Sequence, residues 1–226
     1  WYLCWVRPNL WKTAKSDILS KNIEQIVGFA GNGKLKDGKP TSIEFREFLT
    51  LVDSSKLSEY ADYCLGNPSK QGGITLQDVV NEMGRRLDFS VENGLYQGKR
   101  NAIGYDGIWK SQTVNMLVEI KTTDAYSIDL NTIANYRERL FEEERKLPKN
   151  SSILLIVGRQ DTGGLEAQVR GSKHAWDMRI ISISSLSQLV QIKENSSSES
   201  VTIKTHEILI PREYTRVDRI VDLVFT

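Results

Sequence analysis

Two carboxylates and a lysine stand out by type and spacing. Asp106 sits in Gly104-Tyr105-Asp106-Gly107-Ile108, and Glu119 and Lys121 sit in Leu117-Val118-Glu119-Ile120-Lys121-Thr122, with 12 residues between the two acids. Residues 110–115 between the two runs are polar and compatible with a hairpin. A turn centred between Gln112 and Thr113 sets Asp106 directly opposite Glu119, on a shared face of the antiparallel pair. Period 2 puts Lys121 on that face too and turns Val118 and Ile120 into the other layer. Carboxylates this close repel, and one of them takes up a proton. A divalent cation such as Mg²⁺ removes that cost, because it prefers carboxylate and water oxygens. The main-chain carbonyl of Ile120 is a further oxygen donor. Lys121 can hold or deprotonate a water beside a phosphate and oppose the charge that develops there. The chemistry expected is metal-assisted hydrolysis of a phosphodiester. Glu119 and Lys121 lie inside an apolar strand pattern, where charge without a partner is costly.

The elements that must position these groups can be read around them. Residues 75–87 place Leu76, Val79, Val80, Met83 and Leu87 at helical spacing, with Thr75 and Asp78 shaped like a capping box. Strands are expected over 89–96, 102–109 and 114–122. An amphipathic helix is expected over 131–147, ended by Pro148 and Asn150. The continuous apolar run 152–158 fits a strand buried on both faces. A helix over 164–176, a strand over 178–183 and a short helix over 186–193 complete the order. The fold class is therefore α/β, a mixed sheet flanked by helices, meander first and parallel crossovers after. Upstream, a helical pattern opens near Ser42 and runs through Leu57, Tyr60 and Tyr63. The Gly- and Ser-bearing run 66–73 reads as a linker. Three parts are expected: a mainly helical extension over 1–73, the core over 74–193, and a linker with C-terminal extension over 194–226. The last part has a basic face of Arg212, Arg216 and Arg219.

Asp106 followed by Glu119-Ile120-Lys121 resembles the PD-(D/E)xK, or restriction-endonuclease-like, nucleases. The proline that precedes the first acid in that family is replaced here by Tyr105. The resemblance covers residues 74–193. It implies an αβββαβ core in which Asp106 and Glu119 bind Mg²⁺, with Mn²⁺ able to substitute, and Lys121 assists the attacking water on DNA. It also implies a further acid on the helix before the strands, a position that Glu82 matches. The other reading of Glu82 is an exposed helix carboxylate. Arg85, Arg86, Lys99, Arg100, Tyr136, Arg137 and Lys173 are candidate contacts to the DNA backbone, and Arg85, Arg86, Lys99 and Arg100 read equally as surface charge. The expected activity is a Mg²⁺-dependent DNA endonuclease, of restriction or other defence type. The alternatives are a nuclease selective for junctions, ends or transposon DNA, and a non-catalytic DNA-binding module on the same fold.

Other signals carry less. Residues 28–34 spell GxxxxGK, but Leu35 stands where a phosphate-cradling loop needs Ser or Thr, and no helix pattern follows. The segment reads as a surface loop or a basic loop beside DNA phosphates. His174 with Asp177 has no nucleophile context, and Trp176 is expected to be buried at a capped helix end. Trp1, Trp5 and Trp11 read as core packing or as stacking partners for a base.

The 226 residues are 39% hydrophobic and 26% charged, which excludes wholesale disorder. Lys+Arg number 30 against Asp+Glu 29, so a basic footprint must be local. No apolar stretch suits a membrane span. Cys4 and Cys64 are too few for a disulfide scaffold, and a reducing cytoplasm is expected. The first residue is Trp, so the chain is expected to be a piece of a larger protein, with other modules outside it. A double-strand cutter needs two sites, which makes a homodimer an expected partner alongside DNA.

Overall fold

A computed structural model describes residues 14–97, 102–122, 128–158, 163–196, 198–212 and 221. Lys99, Arg100, the tryptophans at 1, 5 and 11, and Arg216 and Arg219 lie outside the described residues.

The helices come first: α1 (Lys15–Leu19), α2 (Ile23–Phe29), α3 (Pro40–Leu51), α4 (Ser54–Gly66) and α5 (Lys70–Arg86). Then follow β1 (Ser90–Asn93), β2 (Gly107–Lys110), β3 (Asn115–Lys121), α6 (Leu130–Glu142), β4 (Ser152–Val157), α7 (Gly163–Arg170), β5 (Met178–Ser182), α8 (Ile183–Glu194) and α9 (Glu199–Ile208). Among the described residues the sheet has five strands in the order β1-β2-β3-β4-β5. The pairs β1/β2 and β2/β3 are antiparallel, and β3/β4 and β4/β5 are parallel. This is the mixed α/β sheet expected from the sequence.

Period 2 divides the strands between two cores. Met116, Val118, Ile120, Leu154 and Ile156 face a cluster built with α2, α3, α4, α5 and α8. Ile108, Leu117, Ile153 and Leu155 face a second cluster built with α6 and α7. Every side chain of β4 from Ile153 to Val157 is buried, as its unbroken apolar run requires. The first cluster runs from Ile23 through Leu76 to Val221, so the helices before residue 73 share a core with the sheet.

Several boundaries differ from the expectation. Helix α5 starts at Lys70, before Thr75, because Ser69 caps it by accepting from the Gly72 amide at 2.9 Å. Gly72 and Gly73 are therefore helical rather than a linker, and Thr75 and Asp78 lie in the helix interior. Helix α3 starts with Pro40 at its first turn rather than with a Ser42 cap. Ser42 is buried, its hydroxyl donating to Lys36 O at 2.6 Å. The run beyond it breaks at Val52, and Asp53 caps α4 by accepting from the Lys56 amide. Helix α6 ends at Glu142, where Arg145 takes a positive φ of 51° and the Lys146 amide returns to Leu140 O at 2.8 Å. Helix α7 stops at Arg170, and Trp176 beyond it is 73% exposed, not buried. Among the described residues no helix is long and apolar enough to cross a membrane.

Candidate active site

Hairpin register decides what meets what. Gly107 pairs with Val118, Ile108 with Leu117, Trp109 with Met116 and Lys110 with Asn115. One more step of that ladder would set Asp106 against Glu119. The backbone does not take that step. The Asp106 amide donates at 3.2 Å to Val118 O, the carbonyl of the residue already paired with Gly107. Asp106 is thus an extra residue at the ladder's end, in the manner of a β-bulge, and a bulge re-aims the side chain it carries. The Asp106 carboxylate turns into the strand edge that β2 has vacated. There Oδ2 accepts from the Ile120 amide at 2.7 Å.

The main chain of Asp106 is held from two sides. Its carbonyl accepts from the Gly94 amide at 3.0 Å, from Gln77 Nε2 at 3.0 Å and from Asn81 Nδ2 at 2.8 Å. Gln77 and Asn81 are one helical turn apart on α5, so a single face of that helix reaches both the strand and its bulge. Asn81 Oδ1 in turn accepts from the buried Trp109 Nε1 at 2.9 Å. Gly107 is required at this junction, since a Cβ there would lie 2.3 Å from Asn81 Oδ1.

Glu119 and Lys121 follow Leu117 on the face that looks toward α6. Lys121 Nζ lies 2.6 Å from Glu119 Oε1, with the lysine side chain 35% exposed and the glutamate 13%. Asp106 keeps part of its surface toward solvent, but protein atoms crowd the carboxylate. That burial, and next the charge of Glu119, push its pKa from the usual carboxylate range up to about 7, against the Ile120 hydrogen bond and Lys121.

The three groups therefore converge at the end of β3. Asp106 offers Oδ1, Glu119 offers Oε2, and the Ile120 carbonyl shares its strand edge with the amide that Asp106 binds. Among the described residues no group of three or more His, Cys, Asp or Glu is placed to hold a metal ion. A cation here would be bound by two carboxylates and a main-chain oxygen, completed by water. That donor set suits Mg²⁺, which keeps several waters and uses one or two carboxylates. A carboxylate crowded beside a second one is relieved when a cation replaces its proton.

Glu82 does not join this group. It is buried on α5, one residue round the helix from Asn81, and turned to Arg85 Nη1 at 3.5 Å and Arg86 Nε at 3.4 Å. Both readings from the sequence are corrected here: Glu82 is neither at the site nor exposed. Arg86 is not a surface cation either. It donates to Val52 O at 2.5 Å, Leu49 O at 3.2 Å and Ser54 Oγ at 3.2 Å, and lies 3.3 Å from Glu194. It ties the α3–α4 junction to α5 and α8. Arg85 is shared between Glu82 and Asn93 Oδ1, the latter at 2.9 Å. Arg137 is held by Ser151 O at 3.1 Å and Asp177 Oδ1 at 3.2 Å, where β4 and β5 begin. Lys173 is exposed in the turn leading into β5, beside a hollow of about 410 Å³ that His174, Asn131 and Asp129 also line. These two cations stand at the opposite end of the parallel strands from Glu119 and Lys121. Tyr136 packs beside Gly104, two residues before Asp106, at a spacing of 3.3 Å from a Cβ built there.

Gln77 and Asn81 are the positioning residues that sequence reasoning missed. Two amides four apart on the sheet-facing side of an apolar helix are the signal that could have found them.

A scan against protein-family models, a search of curated proteins and a search of solved structures each return no match for this chain.

Proposed function

We propose that this protein is a Mg²⁺-dependent endonuclease that hydrolyses DNA phosphodiesters, on a core of the restriction-endonuclease-like type. The observation that carries the reading is the convergence of Asp106, Glu119 and Lys121 at the C-terminal end of β3, with Asp106 anchored by its bulge. The run of elements from α5 to β4 supports it, being one helix, three antiparallel strands, a helix and a parallel strand.

Asp106, Glu119 and the Ile120 carbonyl would hold the cation. Once bound, it supplies Lewis-acid charge to a phosphate oxygen. The chain's own residues do the rest. Glu119 holds Lys121 Nζ beside the site, where the ammonium orients a water for in-line attack and opposes negative charge on the phosphorus oxygens. Attack forms a new P–O bond and breaks the bond to the leaving oxygen; the water's proton passes to solvent, and the leaving oxygen takes a proton from solvent. Asp106 stays fixed through these events because the Ile120 amide binds its carboxylate and three donors bind its carbonyl.

The test combines binding and turnover. Mg²⁺ or Mn²⁺ raises the melting temperature of the wild type and leaves Asp106→Ala unchanged. Unmodified or methylated plasmid incubated with the wild type and Mg²⁺ is nicked or linearised. Equal stabilisation of both proteins, or intact plasmid in every condition, contradicts the proposal.

A further inference from the structure

The lysine-bearing loop between α2 and α3 is unused by the site, yet the fold carries it to the same end of the sheet. Its path is fixed by a series of hydrogen bonds. Gly33 O accepts from Gln71 Nε2 at 3.1 Å, and the Tyr96 amide donates to Asp37 Oδ1 at 3.0 Å. The Asn32 amide donates to Thr41 Oγ1, the Lys36 amide to Ser42 Oγ and the Gly31 amide to Glu44 Oε2, each at 3.0 Å. Gly31, Gly33 and Gly38 take the positive φ values that these turns need. Leu35 is buried at 5% exposure and plugs the loop into the first core. The loop is therefore a built platform.

What the platform presents is positive charge. Lys34, Lys36 and Lys39 are exposed on either side of the buried Leu35, and Lys70 at the start of α5 is exposed next to them. Among the described residues no ion pair is formed by any of these four lysines. The two acids of the segment are engaged, Asp37 by the Tyr96 amide and Glu44 by the Gly31 amide. Gln71, which holds the loop, lies two residues from Gly73. A Cβ on Gly73 would lie 3.9 Å from Thr122, the residue after Lys121. The loop thus reaches the end of β3 through the first turn of α5, on the face of the sheet opposite Glu119 and Lys121.

We infer that Lys34, Lys36, Lys39 and Lys70 form a contact surface for the phosphate backbone of duplex DNA, which the platform aligns with the end of β3. This rests on the nuclease reading and names how its substrate is held. A local basic surface on a chain of near-zero net charge is the electrostatic footprint expected of a polyanion partner. Lysines on a pinned loop contact phosphates without reading bases.

The experiment measures binding apart from cleavage. The full chain is titrated into a labelled duplex in EDTA across a salt series. The comparison protein carries Lys34→Gln, Lys36→Gln, Lys39→Gln and Lys70→Gln together, and a control carries Lys149→Gln, an exposed lysine before β4 at the far end of the strands. The quadruple variant is expected to lose at least about tenfold in affinity, and its log K against log salt slope to flatten by about 0.9 per lysine in contact. The control matches the wild type. An unchanged affinity and slope in the quadruple variant overturns the inference while leaving the nuclease reading intact if the wild type still cuts. Salt-dependent binding that the variant loses, with no cleavage by the wild type, upholds the inference and contradicts the nuclease. Binding of duplex RNA with none of duplex DNA, or of neither, overturns the assignment of partner.

Discussion

Asp106 carries a conflict that its neighbours impose. Its main chain is held by three donors and its carboxylate by the Ile120 amide, yet burial and Glu119 disfavour the charged form. The unfolded chain releases this proton near 3.8, the ordinary value for an aspartate, and the folded chain only at about 7. Between these values the native state binds more protons than the unfolded one, so this group lowers stability as pH rises through that window. Asp106→Asn removes the titration and keeps an oxygen for the Ile120 amide. In EDTA its melting temperature is expected to exceed that of the wild type at pH 8 and to converge with it near pH 4. A difference that stays constant across the window contradicts this account. On the proposed function, added Mg²⁺ is expected to reverse the order, because a cation would relieve the ionised Asp106 and find one carboxylate fewer in the variant.

At the scale of elements, α5 joins the site to the helical half of the molecule. Its sheet-facing side touches Asp106 through Gln77 and Asn81, and Gly84 lets Trp109 lie against the helix. A Cβ at Gly84 would come within 2.5 Å of the Trp109 ring, which is fully buried and held by Asn81. Gly84→Ala should therefore lose about 1–3 kcal/mol despite the better helix former, as overpacking does. Arg86→Ala leaves the buried Glu82 with Arg85 alone and the carbonyls of Leu49 and Val52 without their donor, for a loss of about 3 kcal/mol. Urea denaturation measures both, and a change within 0.5 kcal/mol at Arg86, about that of an ordinary surface position, would contradict the structural role. These elements also mark where the sequence was legible. The hairpin register was, because the polar turn and the alternating strand leave little freedom, and Gly107 does pair with Val118. The bulge at Asp106 was not, because it depends on donors from α5 that are distant in sequence. Glu82 was misplaced because its match to a family position does not show that Arg85 and Arg86, one turn further along the same helix, take its carboxylate. Arg86 and Arg137 look like DNA contacts in sequence, since nothing local shows that they satisfy carbonyls of other elements.

Among the described residues, two apolar cores flank one sheet, and Asp106, Glu119 and Lys121 lie at one end of it. The sheet's continuous apolar strand β4 and its antiparallel hairpin were readable from periodicity. The sharing of one core between the N-terminal helices and the sheet was not, because Gly72 and Gly73 resemble a break. That sharing gives the lysine platform a fixed relation to the end of β3, on the face opposite Glu119 and Lys121, so a duplex held there must wrap the end of the strand to reach Lys121. The central claim is that Asp106, Glu119 and Lys121 act as one hydrolytic unit. The most direct measurement is the rate of plasmid cleavage in Mg²⁺ by the wild type, Glu119→Ala and Lys121→Ala, with folding checked by circular dichroism and duplex binding measured in EDTA. The account predicts that the wild type cuts, and that each variant stays folded and binds duplex while cleavage falls by at least about 100-fold, the lower end of a proton-transfer contribution. Cleavage by Glu119→Ala at the wild-type rate would contradict it.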